Sequence, residues 1–141
     1  MLINMKKQYK QLAAFLGVIA LVAYGIAQQS ATGSAVISAT EAYAQLQKDT
    51  TIVLLDVRTP EEHYNQRISN TPLIPVQELE QRIHELDAFK DRTIIVYCRS
   101  GNRSGVATKL LRERGFNAKN MLGGILKWKA EQLPTINGPE H

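Results

Sequence analysis

The stretch YCRSGNRSG, Tyr97 to Gly105, gathers the only cysteine of the chain, two arginines, two serines and two glycines into nine residues. A cysteine is a nucleophile as its thiolate. Backbone amides, a helix N-terminus and nearby positive charge favour that form, and they bring the pKa from ~8.5 to within ~3.5 to 7.5. Cys98 is therefore the candidate nucleophile, and Arg99, Ser100, Gly101, Asn102, Arg103 and Ser104 are the candidate loop around it. Gly101 permits the backbone conformations that a tight amide cradle needs. Arg99 and Arg103 can orient an anionic group, Ser100 and Ser104 can donate hydrogen bonds, and Ser104 can also cap the helix that follows. The alternative is a buried structural cysteine, but apolar burial does not call for two arginines and a glycine within five residues.

Such a loop has to be held by regular elements, and the sequence supplies them in alternation. Ser38 and Glu41 form an S-x-x-E capping box that opens a helix through about Lys48, with Ala42 and Leu46 on its apolar stripe. TIVLLDV is a continuous apolar run of the kind found in strands covered on both faces. Thr59 as N-cap, Pro60 at the first position and Glu62 as capping partner open a second helix. PLIPV reads as a short extended piece. QELEQRIHELDAF spaces Leu79, Ile83 and Leu86 as a helix does, and TIIVY is a second buried strand that delivers Cys98 at its end. SGVATKLLRERG predicts a helix from Ser104 closed by Gly115, NAKNML a short strand, and GGILKWKAEQLP a last short helix. His63 and His84 fall on helices at exposed or cap-side positions. Strands alternating with helices define an α/β domain with a mainly parallel sheet, in which sites form at the carboxyl ends of strands. Two loops meet that rule: the one after Val57, carrying Arg58, and the one carrying Cys98.

Composition narrows the chemistry. The formal charge of +4 is set by Lys6, Lys7 and Lys10, without which 14 basic face 13 acidic residues. The body is near neutral and makes no electrostatic case for nucleic acid. One cysteine and three scattered histidines offer no paired-ligand metal site, and no GxxxxGK[ST] or GxGxxG pattern supports a nucleotide cofactor. The expectation is an activity needing neither metal nor organic cofactor.

The amino terminus reads as an address. MLINMKKQYK is positive, residues 12–27 carry no charge, and QQSATGSA is small and polar, the order of a signal sequence. The apolar run is longer than a usual cleaved core and shorter than the ~18 to 20 residues of a spanning helix, so a cleaved signal and an anchor to the membrane are both open. Either way the preceding lysines stay on the cytoplasmic side and the rest is exported, to the periplasm or held at the membrane facing away from the cytoplasm. The expected division is residues 1–35 as signal or anchor plus linker, and residues 36–141 as one domain.

Three separated stretches, LLDVRTPEEHY, IIVYCRSGNRS and MLGGILKWKAEQLP, resemble in order and spacing the rhodanese-like sulfurtransferases, in particular their small single-domain exported kind. The resemblance runs from about Val36 to Pro134. It implies a three-layer α/β domain with a central, mainly parallel sheet flanked by helices. It also implies that Cys98 takes the sulfane sulfur of a small-molecule donor such as thiosulfate, becomes a persulfide, and passes the sulfur to cyanide or another thiophilic acceptor. The amides of Arg99 to Ser104 would cradle the persulfide, and Arg99 and Arg103 would help bind an anionic donor. Asp56 and Arg58 match an Asp-Val-Arg turn, where the resemblance implies that Asp56 holds loop geometry and Arg58 joins a salt bridge. Trp128 is expected to pack. The chain departs from the family at Gln66 to Thr71, where a Gly-His-Ile-x-Gly-Ala stretch is usual.

Cysteine phosphatases and arsenate reductases share this architecture. The phosphatases place five residues between cysteine and arginine, to ring a tetrahedral phosphoryl group. Here four separate Cys98 from Arg103, a tighter loop that suits one sulfur atom. A domain of this fold that only docks a partner is the third class, and the intact cysteine loop argues against it.

Overall fold

The computed structural model describes residues 33–69 and 71–139. The expected signal or anchor at residues 12–27 lies outside the described residues. Among these, no helix is long and apolar enough to cross a membrane.

In chain order the elements are β1 (Val36–Ile37), α1 (Ala39–Lys48), β2 (Val53–Asp56), α2 (Pro60–Asn65), α3 (Leu79–Arg82) continuing as a 3-10 helix (Ile83–Phe89), β3 (Thr93–Tyr97), α4 (Asn102–Glu113), β4 (Asn117–Met121) and α5 (Gly124–Ala130). The sheet has the order β1-β4-β3-β2 and every pairing is parallel. Leu73 extends it by an isolated parallel bridge to Asp56. The expected α/β domain with helices around a parallel sheet is therefore present.

The helix starts follow the sequence closely. Ser38 accepts from the Glu41 amide while Glu41 returns a bond to the Ser38 amide, and Thr59 and Glu62 do the same with Pro60 in the first turn. Two segments differ from expectation. QELEQRIHELDAF makes one α-turn and then tightens to 3-10 geometry, while still burying Leu79 and Leu86. Helix α4 starts at Asn102, two residues before the expected Ser104, because Gly101 takes the left-handed conformation (φ 101°) and turns the chain into the helix without a side-chain cap.

Period-two alternation decides which way each strand residue faces. Leu55, Val57, Ile94, Val96 and Cys98 pack with Ala107 and Leu111 of α4. Leu54, Ile95 and Tyr97 face the other layer, with Met121, Ile125 and Trp128. Cys98 thus emerges on the α4 side of the sheet, where the loop's amides gather. Trp128 packs as expected: it is 1% exposed, its ring meets Tyr43 edge-on at 5.6 Å, and its Nε1 donates to the Pro134 carbonyl at 2.9 Å.

The atypical Gln66 to Thr71 segment docks the carboxyl-terminal tail. Arg67 and Ile136 exchange both backbone hydrogen bonds at 2.9 Å. The buried Arg67 guanidinium donates to the carbonyls of Gly138 and Pro139.

Candidate functional site

Two features set the shape of the 98–104 loop. At its start, the Cys98 carbonyl accepts from the Ile125 amide at 2.8 Å and the Arg99 carbonyl from the Leu126 amide at 3.1 Å. The first turn of α5 thus uses its unpaired amides on the loop. In a trans peptide the C=O and the next N–H point in opposite directions, so tying these carbonyls to α5 turns the amides of Arg99 and Ser100 away from it. At the other end, left-handed Gly101 reverses the chain into α4.

The sulfur sits inside this turn. Cys98 is 1% exposed, and its Sγ accepts from the Gly101 amide at 3.1 Å and the Ser104 hydroxyl at 3.3 Å. Burial by itself pushes the Cys98 thiol up. Hydrogen bonds from the Ser104 hydroxyl and from the amides of Ser104, Gly101 and Ser100 outweigh it, leaving the pKa below its ordinary value. The loop can therefore hold a sulfur anion in a shell of neutral donors. Ser104 serves this shell and not the helix cap foreseen for it.

The arginines divide. Arg99 is exposed at the loop's tip beside exposed Ser100 and two residues from Gly101, and exposed Asn102 opens α4. Arg103 is held by Glu62 in a two-pronged pair, Nη2 to Oε1 at 2.7 Å and Nη1 to Oε2 at 2.8 Å. Its hydrogen bond and charge hold the Glu62 carboxyl down at about 2. Glu62 already caps α2 through the Thr59 amide at 3.0 Å, so one carboxylate fixes both the helix and the arginine.

Beneath the loop lies a buried ionic cluster. Asp56, fully buried, accepts from the Arg58 amide at 3.0 Å, from Arg58 Nη2 at 2.6 Å and from His63 Nδ1 at 2.9 Å. Arg58 also donates to the Gln66 carbonyl at 2.7 Å and lies 5.2 Å from the Tyr97 ring centre. Asp56 and Arg58 thus form the foreseen salt bridge, which ties β2 to the atypical turn. His63, expected at an exposed or cap-side position, is instead 6% exposed, because the first turn of α2 rolls it onto Asp56. His84 is exposed as expected. Breaking this cluster leaves a buried charge without its partner. Asp56→Asn is expected to cost about 3 kcal/mol or more, read as a lower urea midpoint at unchanged m-value; a midpoint equal to that of the parent protein would show the cluster to be dispensable.

Sequence reasoning missed two contributors. Glu62 was visible only as a capping partner, since its pairing with Arg103 spans 41 residues. Asn120 was visible only as a polar residue in a short strand, yet its side chain meets both Ser104 and Gly101. A cavity of about 660 Å³ lined by Tyr43, Leu46, Ile52 and Trp128 holds none of the loop residues. Among the described residues no cluster of His, Cys, Asp and Glu could hold a metal ion.

The chain is similar to known proteins in sequence and in fold. The family model described as "Rhodanese-like domain" matches residues 38–131. A sulfurtransferase of Allochromatium vinosum is 37% identical over 98 residues, 68% of this chain and 90% of that protein. The thiosulfate sulfurtransferase PspE of Escherichia coli is 32% identical over 84 residues, 60% of this chain and 78% of that protein. Against a longer Synechocystis relative, 33% identical over 108 residues, the match takes in 59% of that protein's length. The crystal structure of a rhodanese-related protein from Thermoplasma volcanium superimposes with a TM-score of 0.66 at 33% identity, covering 72% of this chain and 96% of the other. Parallel sheet, cysteine loop at the end of β3 and Asp-Val-Arg turn agree with the family match, and the chain belongs to the rhodanese-like family.

Proposed function

We propose that the protein is a thiosulfate:thiol-or-cyanide sulfurtransferase working through Cys98. The observation that carries this reading is the buried Cys98 Sγ within hydrogen-bond reach of Gly101 N and Ser104 Oγ, at the start of a loop with four residues between cysteine and arginine. The Cys98 thiolate attacks the sulfane sulfur of thiosulfate. A new S–S bond forms, the old one breaks, and sulfite leaves with its electron pair. The charge then rests on the terminal sulfur of a Cys98 persulfide, held by the loop amides. Cyanide or a thiolate attacks that terminal sulfur, and Cys98 leaves as the thiolate. Atoms and electrons balance without a cofactor.

Support for sulfur over phosphorus comes from the family's sulfurtransferase relatives and from the short loop. The test is a paired assay. Thiocyanate from thiosulfate and cyanide, with no phosphate from an aryl phosphate, is expected; phosphate without thiocyanate would replace this reading by a cysteine phosphatase. The proposal extends to the address: lysines before the apolar run at residues 12–27 favour export of the domain, and intact mass of the protein from its native compartment would report whether the segment is cleaved.

Donor binding falls mainly to Arg99, because the charge of Arg103 is offset by Glu62. Glu62→Gln keeps an acceptor for the Thr59 amide while releasing Arg103. It is expected to lower KM for the thiosulfate dianion by about threefold to tenfold at low salt, with kcat nearly unchanged. An unchanged KM would show that Arg103 does not reach the donor.

A further inference from the structure

The hydroxyl of Ser104 has one proton and two acceptors in reach: Cys98 Sγ at 3.3 Å and Asn120 Oδ1 at 2.7 Å. The orientation of the Asn120 amide follows from its other contact. The Gly101 carbonyl can only accept, so the Asn120 Nδ2 at 3.1 Å must face it, which turns Oδ1 toward Ser104. Asn120 is itself fixed in the middle of the sheet, where β4 pairs with β1 at Val36 and with β3 at Val96.

We infer that Asn120 is a positioning residue that sets how fully Ser104 donates to the Cys98 sulfur, by competing for the single Ser104 proton. With Cys98 as a thiol, the proton lies toward Asn120. When the thiolate forms, the proton swings to the sulfur and Asn120 Oδ1 loses its partner, a cost charged against the thiolate. On the reading proposed above, formation of the persulfide moves the charge one atom outward and lets Ser104 turn back to Asn120. The amide then serves as a reservoir for the hydroxyl proton between the two halves of the reaction.

The test is a double-mutant cycle on the pH midpoint of Cys98 alkylation by iodoacetamide. This readout needs no sulfur donor, so its outcome stands apart from whether Cys98 carries sulfur. Asn120→Leu removes the competing acceptor at similar volume. Relative to its effect in Ser104→Ala, it should lower the midpoint by about half to one pH unit when Ser104 is present. Asn120→Asp, with a stronger acceptor, should couple with the opposite sign. Charged and titratable groups on the elements that meet at the loop include Arg99 on the loop, Arg103 on α4, Glu62 and His63 on α2, Asp56 and Arg58 at the end of β2, Lys119 on β4 and Lys127 on α5. They are identical in all members of the cycle, so their contributions cancel. Loosening of Gly101 through its lost bond to Nδ2 occurs equally with and without Ser104, so it also cancels from the coupling. Equal shifts with and without Ser104, in folded variants of either kind, would overturn the inference and leave Asn120 a structural tie. Should Asn120→Leu fail to fold, the Asn120→Asp arm alone decides.

Discussion

Cys98→Ser is expected to remove sulfur transfer from thiosulfate to cyanide by about a thousandfold or more, while the domain stays folded. The loss is this large because a serine hydroxyl at the same place ionises far less readily than a thiol and bonds poorly to sulfane sulfur, and because Cys98 is the only cysteine available. Structure is preserved because the change swaps one small side chain for another in a shell already rich in donors: the Gly101 amide and Ser104 hydroxyl that meet Sγ would meet Oγ instead. Thiocyanate formation and far-UV circular dichroism measured on the same sample separate the two effects. Thiocyanate made at the parent rate by the folded serine protein would remove Cys98 from the chemistry.

Gly124→Ala is expected to damage the same loop from outside it. Gly124 has φ +55°, and a Cβ there would lie 2.3 Å from the Cys98 carbonyl oxygen and 2.6 Å from both the carbonyl carbon and oxygen of Arg99. These are backbone atoms that cannot swing aside as a flexible side chain would. They are also the carbonyls whose bonds to Ile125 and Leu126 turn the loop amides toward the sulfur. Relief of the clash therefore displaces the cradle. Left-handed strain and the displacement together should cost about 3 kcal/mol, and sulfur transfer should fall by at least about tenfold in the fraction that remains folded. Gly115→Ala is the control: its φ is +87° but its Cβ would meet nothing within 4 Å. It should lose only about 1 to 2 kcal/mol and keep its activity. Equal losses at the two glycines, by urea unfolding and thiocyanate assay, would assign the Gly124 effect to backbone strain alone.

What could be read from sequence was whatever local chemistry dictates. TIIVY followed by Cys98 and a glycine-bearing polar stretch is a strand delivering a residue into a loop, and it folds so. The two capping boxes formed because each needs only three consecutive spacings to close. The remainder depends on contacts between distant segments. Nothing near Asn117–Met121 says that this fairly polar strand sits inside the sheet, between β1 and β3; its place is set by where the crossovers bring it. Arg103 reads as a substrate arginine until Glu62 arrives from another helix to hold it. The burial of His63 follows from Asp56, seven residues away on a different element. The start of α4 moved because backbone conformation at Gly101, and not a capping side chain, begins that helix.

The central claim is that Cys98 carries sulfur, and intact mass spectrometry tests it most directly. Protein incubated with thiosulfate and desalted should gain the mass of one sulfur atom, located by peptide mapping on the peptide containing Cys98. It should lose that mass on brief exposure to cyanide with release of thiocyanate. No gain in mass with thiosulfate, or a gain that cyanide does not remove, would contradict the account.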